Sequence, residues 1–149
     1  MKPKFHYLII SVLLITIILF SCKKEDLNPP LHYMSFNLNG TPELFTNVGF
    51  TKDPFCGANL WSFTATNHDT TETFLISVVS DSIFKGATFN EQQAGTTFWG
   101  RQTSMYSAKL SITITSCDQH HIAATFYGTM VNSSQHYNMA NGRFNIPAS

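Results

Sequence analysis

The sequence predicts an all-β domain of about eight or nine short antiparallel strands, arranged as a β-sandwich or, as the alternative, a small β-barrel. Three observations carry this. Apolar residues recur at every second position over much of the chain beyond residue 33, as in Leu110, Ile112 and Ile114. Turn-forming clusters such as Asn39-Gly40, Asn67-His68-Asp69 and Asp118-Gln119-His120 separate these runs at short intervals, with no helical period between them. Charged residues are 12% of the 149, about half the usual share, while aromatics reach 13%. That composition suits packed strands with Thr- and Ser-rich outer faces, and it excludes a disordered chain.

The N-terminal segment stands apart from this pattern. Lys2 and Lys4 precede an apolar run from Tyr7 to Phe20, interrupted by Ser11 and Thr16, that ends at Ser21-Cys22. A charged start, a short apolar stretch and a small residue before the cut make a secretory signal. The run is 14 residues long, short of the roughly 20 that a permanent membrane helix needs, so a retained anchor is the less favoured alternative. Leu19-Phe20-Ser21-Cys22 resembles the lipobox of bacterial lipoproteins, with the bulky Phe20 as a departure. The resemblance implies a signal peptide at 1–21, acyl chains on Cys22 and a membrane contact made through that N-terminal lipid. Several acyl chains on one cysteine anchor stably, since each buried CH₂ contributes about 0.8 kcal/mol.

Lys23-Lys24-Glu25-Asp26 resembles the charged export signal that follows the lipidated cysteine in surface lipoproteins of Bacteroidetes-type bacteria. This implies an outer-membrane, surface-exposed protein, the periplasmic face being the alternative; a charge run of this kind also serves as a plain solvated tether. Residues 22–32, with Asn28-Pro29-Pro30, read as a semi-rigid spacer, and 33–149 as a single β domain. Lys2 and Lys4 leave with the signal, so seven basic residues face nine acidic ones and the mature chain carries a net charge of −2. No basic face remains to attract nucleic acid.

Within the β domain, Met34, Phe36 and Leu38 alternate with polar residues and run into Asn39-Gly40, a strong signal for a two-residue hairpin turn. The return strand is expected from Glu43 to about Thr51, with Pro42 where a ladder donor can be spared. Leu60 to Thr66 places Trp61, Phe63 and Ala65 on one face, and so in the core. Thr73 to Val79 is more uniformly apolar and reads as a central strand covered on both sides. Phe84 to Phe89 and Thr97 to Arg101 are weaker strands around the loop Glu91 to Gly95. Ala108 to Ser116 and then Ile122, Ala124, Phe126, Gly128 and Met130 give two clear alternating strands, followed by a last one through Tyr137 and Met139 to Phe144 and Ile146.

Phe36-Asn37-Leu38-Asn39-Gly40, the pair Ile112 to Ser116 with Ala124 to Met130, and the closing Asn141-Gly142-Arg143-Phe144-Asn145 together resemble a broad group of small Bacteroidetes-type lipoproteins of uncharacterised function. Ala124 stands where similar segments carry glycine. The resemblance implies the lipid anchor and the β domain, and it brings no catalytic motif.

With Cys22 assigned to the lipid, Cys56 and Cys117 are left as a candidate disulfide or as two separate thiols. A bridge would close a 62-residue loop and contribute about 4 kcal/mol on the chain-entropy model. His120 and His121 beside Cys117-Asp118, with His136 one strand later, form the weak metal candidates; no His-x-x-x-His or Cys-x-x-Cys spacing supports them. Asp118 with His120 or His121 is a candidate base and orienter, but no nucleophile elbow accompanies it. No cofactor loop is present.

Trp99, in the loop-flanked segment Thr97 to Arg101, is the aromatic expected to be exposed and to contact a ligand. The expected function is therefore a non-catalytic binding module of the cell envelope, taking a glycan or a protein partner. A structural or assembly component is the alternative, and a small hydrolase is less favoured. A cleft holding Trp99, or a tyrosine beside Asn or Gln, is the feature that favours binding; an open sheet edge without a cleft favours assembly.

Overall fold

The computed structural model describes residues 31–100, 104–133 and 135–148. The expected signal peptide, Cys22, most of the tether, Arg101 and Ser134 lie outside the described residues. Ten strands follow in order: β1 (Tyr33–Leu38), β2 (Thr41–Phe45), β3 (Asn47–Phe55), β4 (Ala58–Thr66), β5 (Thr73–Ser80), β6 (Thr88–Phe89), β7 (Ala94–Trp99), β8 (Met105–Cys117), β9 (His121–Asn132) and β10 (Gln135–Pro147). All pair antiparallel in one sheet of order β2-β1-β10-β9-β8-β7-β5-β4-β3, with β6 pairing β8 beside this path.

The chain path dictates the shape of that sheet. Nine strands about 4.8 Å apart would place the outer strands of a flat sheet about 38 Å from each other. Yet the outer strands are β2 and β3, and Thr46 alone separates them. Two residue steps span about 7 Å, so the sheet has to bend until its two edges meet. The result is a strongly curled half-barrel in which β3 packs against β10 and β1 without pairing to them.

The all-β antiparallel class expected from the sequence is therefore present, but the two-sheet sandwich is corrected to one curled sheet. Its inward face packs against itself. Alternation tells which side of a strand is buried; it is blind to whether the opposing side chains come from a second sheet or from the far wall of the same one. Phe36, Phe45, Phe63, Phe74, Phe98, Phe126 and Phe144 fill the interior with Met34, Ile76, Ile112, Ile114 and Met130. Ring contacts cross the curl directly, Phe36 to Phe74 at 4.4 Å and Phe63 to Phe144 at 4.7 Å between centroids.

Local expectations fare unevenly. Asn39 and Gly40 take φ values of 50° and 85°, as the hairpin turn requires, and Cys56-Gly57 repeats the device at 46° and 85° between β3 and β4. The return strand from Glu43 to Thr51 is instead two strands broken at Thr46, because the chain there changes partner from β1 to β4. In β5 the buried residues are Phe74, Ile76 and Val78, with Leu75 and Val79 half-buried, so that strand is lined on one face rather than covered on both. The Phe84 to Phe89 strand shrinks to Thr88–Phe89, and the Thr97 to Arg101 strand begins earlier, at Ala94.

The candidate binding face on strands β9 and β10

The feature that matters most is an irregularity in β10. Met139 and Phe144 are both buried although they stand five positions apart, an odd spacing that a regular strand cannot reconcile with one inward face. A bulge reconciles it. Met139 pairs Gly128 and Gly142 pairs Phe126, so Ala140 and Asn141 both stand opposite Tyr127. Asn141 absorbs the extra residue with φ 54°, a backbone region that asparagine tolerates better than most. Gly142 then lies flat on Phe126: a Cβ there would overlap the ring and come within 2.6 Å of the Phe126 carbonyl oxygen.

On the outer face the bulge leaves a concavity of about 410 Å³, walled by Thr125 to Tyr127 and by Ala140 to Arg143. Its volume falls at the small end of the range for ligand sites, about 300–1,000 Å³. Tyr127 is 64% exposed, so its ring is free to stack; Thr125, Asn141 and Arg143 are exposed beside it. The wall thus offers an aromatic face, a hydroxyl, an amide and one guanidinium. No carboxylate among the described residues pairs with Arg143, which leaves its planar donors available to a ligand.

No protein-family model, no curated protein and no solved structure matches the chain. The site is therefore read from its own chemistry.

Trp99, singled out from the sequence, is 42% exposed at the end of β7 opposite Thr73 and does not line the concavity. Trp61 sits at the margin of the core rather than within it. Its Nε1 donates to the Ser80 carbonyl at 3.0 Å, its ring stacks on Phe50, and Lys52 Nζ lies 4.8 Å from the ring centroid. Tyr127 and Asn141 escaped the sequence reading because each, taken alone, is an ordinary outward residue. The odd interval between Met139 and Phe144, spanning the turn-prone pair Asn141-Gly142, was the signal that could have found them.

The histidines do not converge. His121 opens β9 and His136 lies near the start of β10 opposite Val131, which puts them at opposite ends of the hairpin, about 33 Å apart along β9. Strand pairing therefore keeps these two weak metal candidates apart. Among the described residues no three His, Cys, Asp or Glu side chains form a metal-holding group. Asp118 instead organises its turn: Oδ1 accepts from the backbone N–H of His120 at 2.8 Å and of His121 at 3.0 Å, and Oδ2 lies 3.0 Å from His121 Nδ1. The Asp–His pair expected as base and orienter is present with His121, but it lies at the opposite end of β9 from Met130 and outside the concavity.

Those backbone donors, of His120 first and then His121, hold the Asp118 carboxyl below the ordinary carboxylate range. A lowered carboxyl contributes stability that is complete above about pH 3.9, the unfolded value, and is lost as pH falls through the lower folded value. Asp118→Ala is accordingly expected to lower the thermal midpoint slightly at pH 7, with the gap to the parent closing below pH 4; thermal melts of both proteins across that range check it. Cys56, at its hairpin tip, and Cys117 are both free thiols in the structure. Burial, then the Asp118 carboxylate, pushes the Cys117 thiol up, and its Sγ lies 3.8 Å from the Ile83 carbonyl.

Proposed function

We propose that the protein is a lipid-anchored module of the cell envelope, held through Cys22 and displayed at the outer-membrane surface, that binds a sugar unit of a glycan and catalyses nothing. The observation that carries the binding reading is the concavity itself: an exposed Tyr127 ring set beside Asn141, Thr125 and Arg143. A pyranose ring presents an apolar face that stacks on an aromatic side chain and a girdle of hydroxyls that pair with amide, hydroxyl and guanidinium groups. A largely preformed site of this kind needs little charge.

The assembly alternative draws less support from the sheet edges. The β2 edge is five residues long and carries Pro42, while β3 bears Lys52, Asp53 and Pro54 along its exposed half. Short length, proline and charged side chains on an edge are devices that discourage strand addition. A hydrolase would need a nucleophile next to a base in a pocket, and the Asp118–His121 pair lies outside the concavity.

The test is a titration of the purified protein with a panel of neutral and uronic-acid oligosaccharides, followed by amide NMR shifts. Binding is expected to move the resonances of Thr125, Tyr127 and Asn141, and Tyr127→Ala is expected to weaken it about tenfold, or about 1.4 kcal/mol. Saturable binding that leaves these amides still would move the site elsewhere. A panel with no binder at all would remove the glycan reading.

A further inference from the structure

The exposed large side chains at the two ends of the half-barrel differ in kind. Strand directions put the start of β1, the β3–β4 hairpin, the loop after β5 and the β8–β9 turn at one end. That end carries Leu31, 76% exposed, Phe84, 61% exposed, and Phe55, 46% exposed. Phe55 and Phe84 are the two exposed phenylalanines among the described residues. The opposite end is built from Asn39-Gly40, Asn67 to Thr71 and Asn132-Ser133, and its exposed aromatics, Trp99 and Tyr106, each carry a polar tip.

Two side-chain hydrogen bonds fix parts of this end. Asn145 Nδ2 donates to the Leu31 carbonyl at 2.8 Å, fixing Leu31 beside the end of β10. Next along the rim, Asn59 Nδ2 donates to the Asp81 carbonyl at 2.9 Å and ties the β3–β4 hairpin to the loop that holds Phe84. Charges on this rim are mixed: Lys52 and Lys85 alternate with Asp53, Asp81 and Asp118. Such a rim has no electrostatic preference for an anionic partner, and what it offers is apolar area.

We infer that this rim is a membrane-contact surface, with Phe55, Phe84 and Leu31 seated in the interfacial layer of the bilayer that holds the Cys22 lipid. The inference rests on the anchoring of Cys22 proposed above. The chain enters the domain at this same end, and the nine residue steps from Cys22 to Leu31 reach about 30 Å at most. The rim is thus the part of the domain that the tether keeps nearest to lipid, where removing its phenylalanine rings from water is favourable. Apposition also sets the orientation of the ligand site: Tyr127 lies six residues along β9 from His121, about 20 Å from the membrane-facing rim.

The full-length lipidated protein is reconstituted into phosphatidylcholine vesicles with brominated acyl chains, as the parent and as Phe55→Trp, Phe84→Trp and His68→Trp. After subtraction of the parent signal from Trp61 and Trp99, the tryptophans at 55 and 84 are expected to emit at shorter wavelength and lose most of their intensity to bromine. The one at 68, on the opposite rim, is expected to lose almost none. Replacing a third of the lipid with phosphatidylglycerol is expected to leave the quenching unchanged. Protein that floats with the vesicles while positions 55 and 84 are quenched no more than position 68 overturns the membrane-contact rim and leaves the anchor standing. Protein that does not float overturns the anchor, and the rim falls with it.

Discussion

Phe36→Ala is expected to lower the free energy of unfolding by about 4 kcal/mol, the usual cost of deleting a fully buried ring. Phe36 is buried on β1, with ring centroids of Phe74, Phe45, Phe126 and Phe98 at 4.4, 6.0, 6.0 and 6.4 Å. β1 and β5 are separated by four strands in the sheet order, so the Phe36–Phe74 contact exists because the sheet curls. Removing the ring empties the place where the two walls meet. The surrounding rings are themselves wedged between strands, which limits collapse into the void and keeps the cost high. Urea denaturation of Phe36→Ala beside Phe55→Ala measures this, since Phe55 is exposed at a hairpin tip and its truncation is expected to cost under about 0.5 kcal/mol. Equal costs at the two positions would contradict a closed aromatic interior.

The parts of this fold that were legible in the sequence are those where one face of a strand meets solvent. In β8, Leu110, Ile112 and Ile114 are buried between Ser111, Thr113 and Lys109, and β9 does the same with Ile122, Ala124, Phe126 and Met130. Hairpin turns were legible because Asn39-Gly40 meets a steric demand that few pairs can meet. Long-range arrangement was not. Nothing local at Thr46 marks the residue where the chain passes from one edge of the sheet to the other, and that passage is what closes the curl. β5 departs from the expected burial on both faces because β-branched and aliphatic residues such as Val79 and Leu75 also suit a half-shielded outer face. The concavity proposed as a ligand face was illegible for a related reason: it arises from a change of phase within one strand, and each of its residues conforms to its own local pattern.

Gly142→Ala is expected to cost about 3 kcal/mol, the upper part of the range for forcing a methyl into a filled core. Gly142 pairs Phe126 and leaves no room for a Cβ, which would overlap the Phe126 ring and crowd its carbonyl. The ring cannot swing aside, since Phe36, Phe74 and Phe144 hold it with centroids 6.0, 6.0 and 6.3 Å away. The β10 backbone must yield instead, and with it the bulge that sets Asn141 and Arg143 around the same concavity as Tyr127. Loss of sugar binding should therefore accompany the loss of stability. Gly49→Ala is the matched comparison, because a Cβ there meets nothing within 4 Å, and its effect is expected to stay within about 0.5 kcal/mol. A second substitution separates the clash from a general weakening of the strand. If overlap with Phe126 is the cause, Phe126→Leu in the Gly142→Ala background will recover part of the stability, so that the two changes together cost less than the sum of their separate costs in urea denaturation. Strict additivity would place the strain of Gly142→Ala in the backbone of β10 and not in its contact with Phe126.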